Sequence, residues 1–147
     1  MKKSSLYRMV SKFKAKYPFT VTWRLKAHCK VIEKHLSFDE KIVYAFAAQK
    51  NNNSFDIVTT CVVALTEKRL VIAQKRVLFG YFFYSITPDM FNDLQIRHGL
   101  LWGRIYIDTI NEMVILSNIS KKALIEIEKN ISSYMMEEKK KYPPRKK

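Results

Sequence analysis

The chain has 147 residues, is 48% apolar and carries 27 Lys/Arg against 13 Asp/Glu, a net charge of +14. That length supports one domain with its own core, and that apolar content excludes a wholly disordered chain. The longest apolar run, IVYAFAA at 42–48, falls far short of the roughly 18 residues a spanning helix needs. No apolar signal segment follows the basic start, so a cytoplasmic protein is expected. Cys29 and Cys61 fit a reducing compartment as two buried thiols rather than a disulfide.

The positive excess sits at the two ends. Residues 1–34 hold ten Lys/Arg and one Glu, residues 35–120 hold eight of each sign, and residues 121–147 hold nine against four. Twenty of the 27 cations are Lys. Lys is a hydrated point charge, whereas Arg supplies the planar fork that reads phosphates and base edges. The balance suits diffuse attraction to an anionic surface, and it equally suits a genome that encodes Lys often.

In SSLYRMVSKFKAKY (4–17), Leu6, Met9, Val10, Phe13 and Tyr17 form one helical stripe, with the cations mostly off it. Ser4 or Ser5 can cap this helix and Pro18 ends it. A second helical pattern puts Leu25, Cys29, Ile32 and Leu36 on one face. Thr22 is its candidate N-cap, with a short strand over 19–23 as the alternative.

After Glu40 the period changes from 3.6 to 2. Strands are expected near 41–49, 54–66, 69–76, 79–86, 92–97, 101–109 and 112–117. KNNN (50–53) makes the first turn, because Asn tolerates the left-handed backbone. In the second strand Phe55, Ile57, Cys61, Val63 and Leu65 share a face. From Ser120 the helical period returns, with Leu124, Ile127, Ile131 and Tyr134/Met135 as a stripe running to about 138. KKKYPPRKK at the end is a basic, solvated tail. The expected division is a basic helical extension at 1–36, a mainly β domain at 37–138 and a basic disordered tail at 139–147.

Seven short antiparallel strands followed by an amphipathic helix resemble a pleckstrin-homology (PH) domain. LTEKRLVIAQK (65–75) is similar to the T-x-x-R-L hairpin of bacterial PH-like domains, in particular the YokE-like group. HLSFDEKIVYA, VLFGY and HGLLWGRIYIDT match in order and spacing, over roughly 35–136. The resemblance implies an α+β, mainly β fold: a bent seven-strand barrel plugged by the C-terminal helix, here with an N-terminal helical extension. It also implies a non-catalytic binding or assembly module. PH domains that bind inositol phosphates use basic residues on the first two strands and their loop. Here that loop offers Lys50 and three Asn, and 54–66 has no cation, so the specific pattern is missing.

Thr66 closes the hairpin through local hydrogen bonds, and Arg69 opens the returning strand, where a carboxylate is its natural partner; both read as structural turn residues. His28, Cys29 and His35 lack the second ligand pair a zinc site needs, and no glycine-rich phosphate loop occurs. No catalytic, metal or cofactor site is expected. In FGYFFY (79–84), Phe82 and Tyr84 face one way while Phe79, Tyr81 and Phe83 face the other. That second set is either covered by the N-terminal helices or forms a surface for self-association or a protein partner. The stripe of the first helix has the same two fates, docking on the barrel or entering a membrane interface. The candidate anion- or membrane-binding cations are Lys2, Lys3, Arg8, Lys12, Lys14, Lys16, Lys139, Lys140 and Lys141. The expected partners are an anionic membrane surface, peripherally at its inner face, or a protein. Non-specific nucleic-acid binding through the ends is the alternative.

Overall fold

The computed structural model describes residues 5–50, 59–77 and 79–143. Ser4, the turn residues 51–53, Phe55 and Ile57 of the second predicted strand, Leu78 and the end of the tail at 144–147 lie outside the described residues. Three helices, α1 (Ser5–Lys16), α2 (Leu25–His35) and α3 (Leu124–Lys139), accompany seven strands. These are β1 (Ile42–Gln49), β2 (Thr60–Thr66), β3 (Leu70–Lys75), β4 (Tyr81–Ile86), β5 (Phe91–His98), β6 (Trp102–Thr109) and β7 (Met113–Ser120). They form an antiparallel sheet in the order β4-β3-β2-β1-β7-β6-β5, curled into a half-barrel. The expected seven strands and closing helix are present, with ends shifted by up to three residues, except that the second strand begins at Thr60 and its expected first half, 54–58, lies outside the described residues.

Period-2 alternation gives the sheet two faces with different cargo. Phe46, Cys61, Val63, Leu65, Ile72, Ile105, Ile107 and Leu116 fill the hollow of the half-barrel. Helix α3 closes that hollow because Leu124, Ile127, Ile131 and Met135, spaced three and four apart, are all fully buried in it. The helix comes close to β6 at Gly103, where an added Cβ would lie 2.2 Å from Leu124 Cδ1.

The convex face of β1–β3 is also apolar, but its residues are small: Ala45, Ala47, Val62, Ala64, Val71 and Ala73. Small side chains let helices approach closely. α1 and α2 lie there with Leu6, Val10, Cys29, Val31 and Ile32 buried. β2 is therefore buried at all seven positions. The stripe of α1 docks on the barrel, and Leu6 and Phe13 are not available to a membrane. The two cysteines fall in different cores, Cys29 beneath α2 and Cys61 in the hollow. Burial pushes both thiols up to about 12.

β1 and β7 are registered through Gln49 and Ser117, so the sheet parts beyond that pair. The end of α1 fills the gap. Phe13 stacks obliquely on Tyr17 and Phe46, at centroid distances of 5.1 and 5.9 Å. Glu126 of α3 ties the gap shut, accepting from Lys16 Nζ at 2.6 Å, Tyr17 Oη at 3.0 Å and Tyr44 Oη at 2.8 Å. Burial alone would raise the Glu126 carboxyl, but these three donors outweigh it and hold the group below the usual carboxylate range.

One expectation is corrected at the start of α2. Its N-cap is Arg24, not Thr22, with a left-handed φ of 54° and no side-chain cap, and residues 19–23 form no strand. Tertiary contacts replace the cap: Arg24 Nη1 donates to the carbonyls of Lys75 and Arg76, each at 3.3 Å.

Candidate interaction surfaces

The β2–β3 hairpin is held by a small polar network. Thr66 Oγ1 accepts the backbone N–H groups of Lys68 and Arg69, both at 3.1 Å, and donates to Glu40 Oε2 at 2.5 Å. Arg69 pairs with Glu40 through Nε and Nη2 at 3.0 and 3.1 Å, and reaches the His35 carbonyl at 2.7 Å and Ser85 Oγ at 3.2 Å. One guanidinium thus joins the end of α2, the segment before β1, the hairpin and β4. Burial alone would raise the Glu40 carboxyl. The donors Arg69, Thr66 and the Ser37 N–H, with the charge of Arg69, instead lower it to about 2. With its N–H groups engaged inside the protein, Arg69 has little left to offer a ligand.

The opposite situation holds at the β5–β6 turn. Arg97 and Arg104 stand directly across from each other in the ladder, and like charges so placed weaken a sheet. The Arg97 guanidinium lies 5.3 Å from the centre of the Tyr106 ring, while Arg104 has no hydrogen bond or ion pair among the described residues. His98, Lys121 and Lys122 are exposed nearby, Lys121 being fastened by its N–H to the Leu101 carbonyl at 3.1 Å. Arg97, His98, Arg104 and Tyr106 line a shallow hollow of about 400 Å³ whose lining includes no carboxylate.

A second hollow, of about 240 Å³, lies between β1, β3, β4 and β7. Lys50 covers the Phe82 ring there, 3.8 Å from its centre, so the cation nearest the β1–β2 loop is occupied by an aromatic face.

A model of the bacterial PH domain family matches residues 36–133. The chain belongs to the bacterial PH domain family. A crystal structure of a pleckstrin homology domain from Shewanella amazonensis is similar at 14% identity and a TM-score of 0.51, covering 74% of this chain and 95% of that one. A protein with a pleckstrin-homology domain from Shewanella loihica is similar at 13% identity and a TM-score of 0.48, covering 78% of this chain and 99% of that one. No curated protein matches the sequence. PH-like domains are generally non-catalytic modules used for binding. Among the described residues of this PH domain, no helix is long and apolar enough to cross a membrane.

The terminal cations of this PH domain have varied fates. Lys2 and Lys3 lie outside the described residues. Arg8 and Lys12 are exposed on α1. Lys14 is turned inward to the carbonyls of Pro18 and Thr20, at 2.6 and 2.7 Å, and Lys16 is bound to Glu126. Lys139 reaches the Phe91 carbonyl, and Lys140 and Lys141 pair with Glu137 and Glu138 one turn back. Several of the cations noted at the ends therefore have partners within the chain.

The aromatics of β4 divide as the strand period requires. Phe82 and Tyr84 adjoin the hollow, and Phe83 joins the outer core. His35 stacks on Phe83 at 4.2 Å and meets Tyr81 edge-on, its Nε2 3.1 Å from the Tyr81 hydroxyl. Phe79, before the strand, is 85% exposed. His28 is buried, accepts the Lys75 N–H at Nδ1 (2.8 Å), and burial lowers it to about 4.

Sequence reading did not single out Glu40, Glu126 or the cations beside the β5–β6 turn. The first two are carboxylates whose partners are distant in sequence, so no local pattern marks them. The third left a signal in RHGLLWGR: bulky apolar residues at a turn, where polar ones are usual, with Arg on both sides.

Proposed function

We propose that this PH domain is a non-catalytic module that attaches peripherally to an anionic membrane surface, at the cytoplasmic face. One observation carries the reading: Arg97, His98 and Arg104 line a hollow that no carboxylate lines. A cross-strand Arg–Arg pair costs stability in the isolated fold and is relieved when an anion approaches from outside. The net charge of +14 adds long-range attraction, and each Lys or Arg near an anionic leaflet contributes about 1 kcal/mol. The order of LTEKRLVIAQK, HLSFDEKIVYA, VLFGY and HGLLWGRIYIDT supports membership of the YokE-like group within the family.

Co-sedimentation of the full chain with neutral and anionic vesicles across a salt series tests the proposal. Binding to anionic vesicles that weakens steeply with salt is expected. Equal affinity for neutral vesicles, or no binding to either, rejects it. Duplex DNA as competitor separates the nucleic-acid alternative, which predicts displacement from the vesicles by DNA at low stoichiometry.

A further inference from the structure

We propose that the β5–β6 turn is a membrane-insertion tip, in which Leu100, Leu101 and Trp102, with Phe19 beside them, enter the headgroup–acyl boundary of an anionic bilayer. The inference rests on the membrane reading above and adds to it the element that penetrates and the orientation that follows.

Four large apolar side chains are exposed together here. Leu100 is 88% exposed, Phe19 57%, Leu101 44% and Trp102 40%. They are neighbours: the Trp102 indole N–H donates to the Phe19 carbonyl at 2.6 Å, and the turn is closed by the Gly99 N–H on the Trp102 carbonyl at 2.8 Å. The closure is rigid in its residue demands. A Cβ at position 99 would lie 2.5 Å from the Trp102 carbonyl oxygen, so Gly99 permits a tight turn that holds the two leucines outward. Nor is there room for them beneath, because the ground at Gly103 is already taken by Leu124.

Three polar groups of the tip already have partners within the protein. The one polar atom of the Trp102 ring is bonded within the protein, and so are the Gly99 N–H and the Leu101 carbonyl. Moving the tip into a less polar medium therefore strands none of these groups. Trp at such a depth is the side chain that favours the interface, with its ring among the acyl carbons and its edge at headgroup level.

Charge completes the fit. Arg97 and Arg104 line the same hollow as Leu100, Leu101 and Trp102, and Lys121 is held against Leu101 by its backbone N–H, so cations flank the apolar tip where lipid phosphates would stand. The acids of these strands, Asp93 and Asp108, are paired at the far end of the ladder, roughly 13 Å along the strand from Arg104 at the usual rise per residue. The face thus runs from apolar apex through cations to anions, which orients the barrel with the start of α3 toward the bilayer. A nucleic acid would meet the cations and could stack on Trp102 or Phe19, but it would leave Leu100 and Leu101 in water, since aliphatic side chains offer nothing for bases to stack on.

The test uses the full chain and vesicles of phosphatidylcholine alone or with phosphatidylserine. Leu100→Ser with Leu101→Ser should bind the anionic vesicles at least tenfold more weakly than the wild type, with the melting temperature unchanged. In a Trp23→Phe background, lipids brominated on the upper acyl chain should quench the remaining Trp102 fluorescence. Wild-type binding that the serine variant retains in full, with Trp102 unquenched, overturns the tip while leaving the electrostatic reading standing. A wild type that ignores anionic vesicles overturns both. Equal loss of duplex DNA binding by the serine variant, with no quenching by lipid, overturns the bilayer as the occupant.

Discussion

The convex face of β1–β3 and the outward face of β5–β6 belong to one sheet, yet they have opposite fates. The first presents Ala45, Ala47, Val62, Ala64, Val71 and Ala73, and two helices cover it. The second presents Asp93, Gln95 and Arg97 opposite Asp108, Tyr106 and Arg104, and these side chains are exposed or half-buried. The backbone is the same antiparallel ladder in both. Side-chain size and charge on alternate positions decide whether a sheet face becomes a second core or a surface that meets a partner. In the covered half, small residues bring helices close enough to bury Val10 and Ile32 completely. In the bare half, desolvating Arg97 or Arg104 beneath a helix would cost far more than the burial returns.

The strongest way to break the comparison is to remove the cover. A fragment beginning at residue 35 deletes α1 and α2 and exposes the whole apolar convex face, although it keeps all seven strands and α3. It is expected to aggregate or melt far below the full chain, as size-exclusion chromatography and thermal denaturation would show. A soluble fragment with an unchanged melting curve would mean that the helices rest only lightly on the sheet. The same contrast can be drawn with one residue type. Ala64→Glu puts a charge under α1 and α2, at a loss of roughly 4 kcal/mol or more. Gln95→Glu on the bare half should change stability by no more than about 0.5 kcal/mol. Comparable losses in the two variants would erase the distinction.

Next in size is the Arg69–Glu40 pair, which ties the covered half to its helices. The Glu40 side chain is fully buried and Arg69 is 21% exposed. Arg69→Ala leaves a buried carboxylate without its cation, and breaking such a pair costs about 3–5 kcal/mol. Urea denaturation should show the midpoint falling with the slope unchanged. A variant as stable as the wild type would show that Thr66 and the Ser37 N–H suffice to hold Glu40.

How legible this was from sequence depends on the range of the interaction. The α1 stripe, the strands and the α3 stripe are written in local period, so Leu6, Val63 and Ile131 could be given their sides from neighbours alone. The second core was harder to see. Alanine at 45, 47, 64 and 73 reads as weak strand propensity until the helices that need the space are in place. The α2 boundary was misjudged because Thr22 is a good local cap, whereas Arg24 is held by carbonyls some fifty residues away. Charge was located correctly by composition, but counting could not tell that Lys14 is turned to carbonyls and that Lys16 and Lys141 pair with carboxylates at the surface, while Arg104 has no such partner among the described residues.

Acid should expose the covered half in two stages. His28 is held neutral down to about 4 against an ordinary 6.5, because burial opposes its charged form. The unfolded chain therefore takes up this proton first, so stability is full above pH 6.5 and falls as pH drops from 6.5 to 4. The loss is on the order of 3 kcal/mol at most. Glu40, lowered from 4.5 to about 2, adds a second loss as pH falls from 4.5 to 2. His28→Leu should be less stable at every pH, since the Lys75 N–H loses its acceptor, but its stability should be flat between pH 6.5 and 4.5. Denaturation midpoints measured across that range decide the matter. A variant that retains the wild-type slope would move the acid sensitivity to another group.

The smallest effect sharpens the bare half most. Arg97 faces Arg104 across the ladder, a pairing of like charges that weakens a sheet by about 0.2–1 kcal/mol relative to a neutral pair. Arg97→Glu turns it into an opposite-charge pair and should raise the melting temperature slightly, at the loss of the cation over Tyr106. If the pair exists for an external anion, the same substitution should weaken binding to anionic vesicles and flatten its salt dependence. Stability and binding then move in opposite directions, which a merely structural arginine would not produce. A lower melting temperature with vesicle binding intact would assign Arg97 to the fold through Tyr106, and the bare face would lose its claim to be a contact surface.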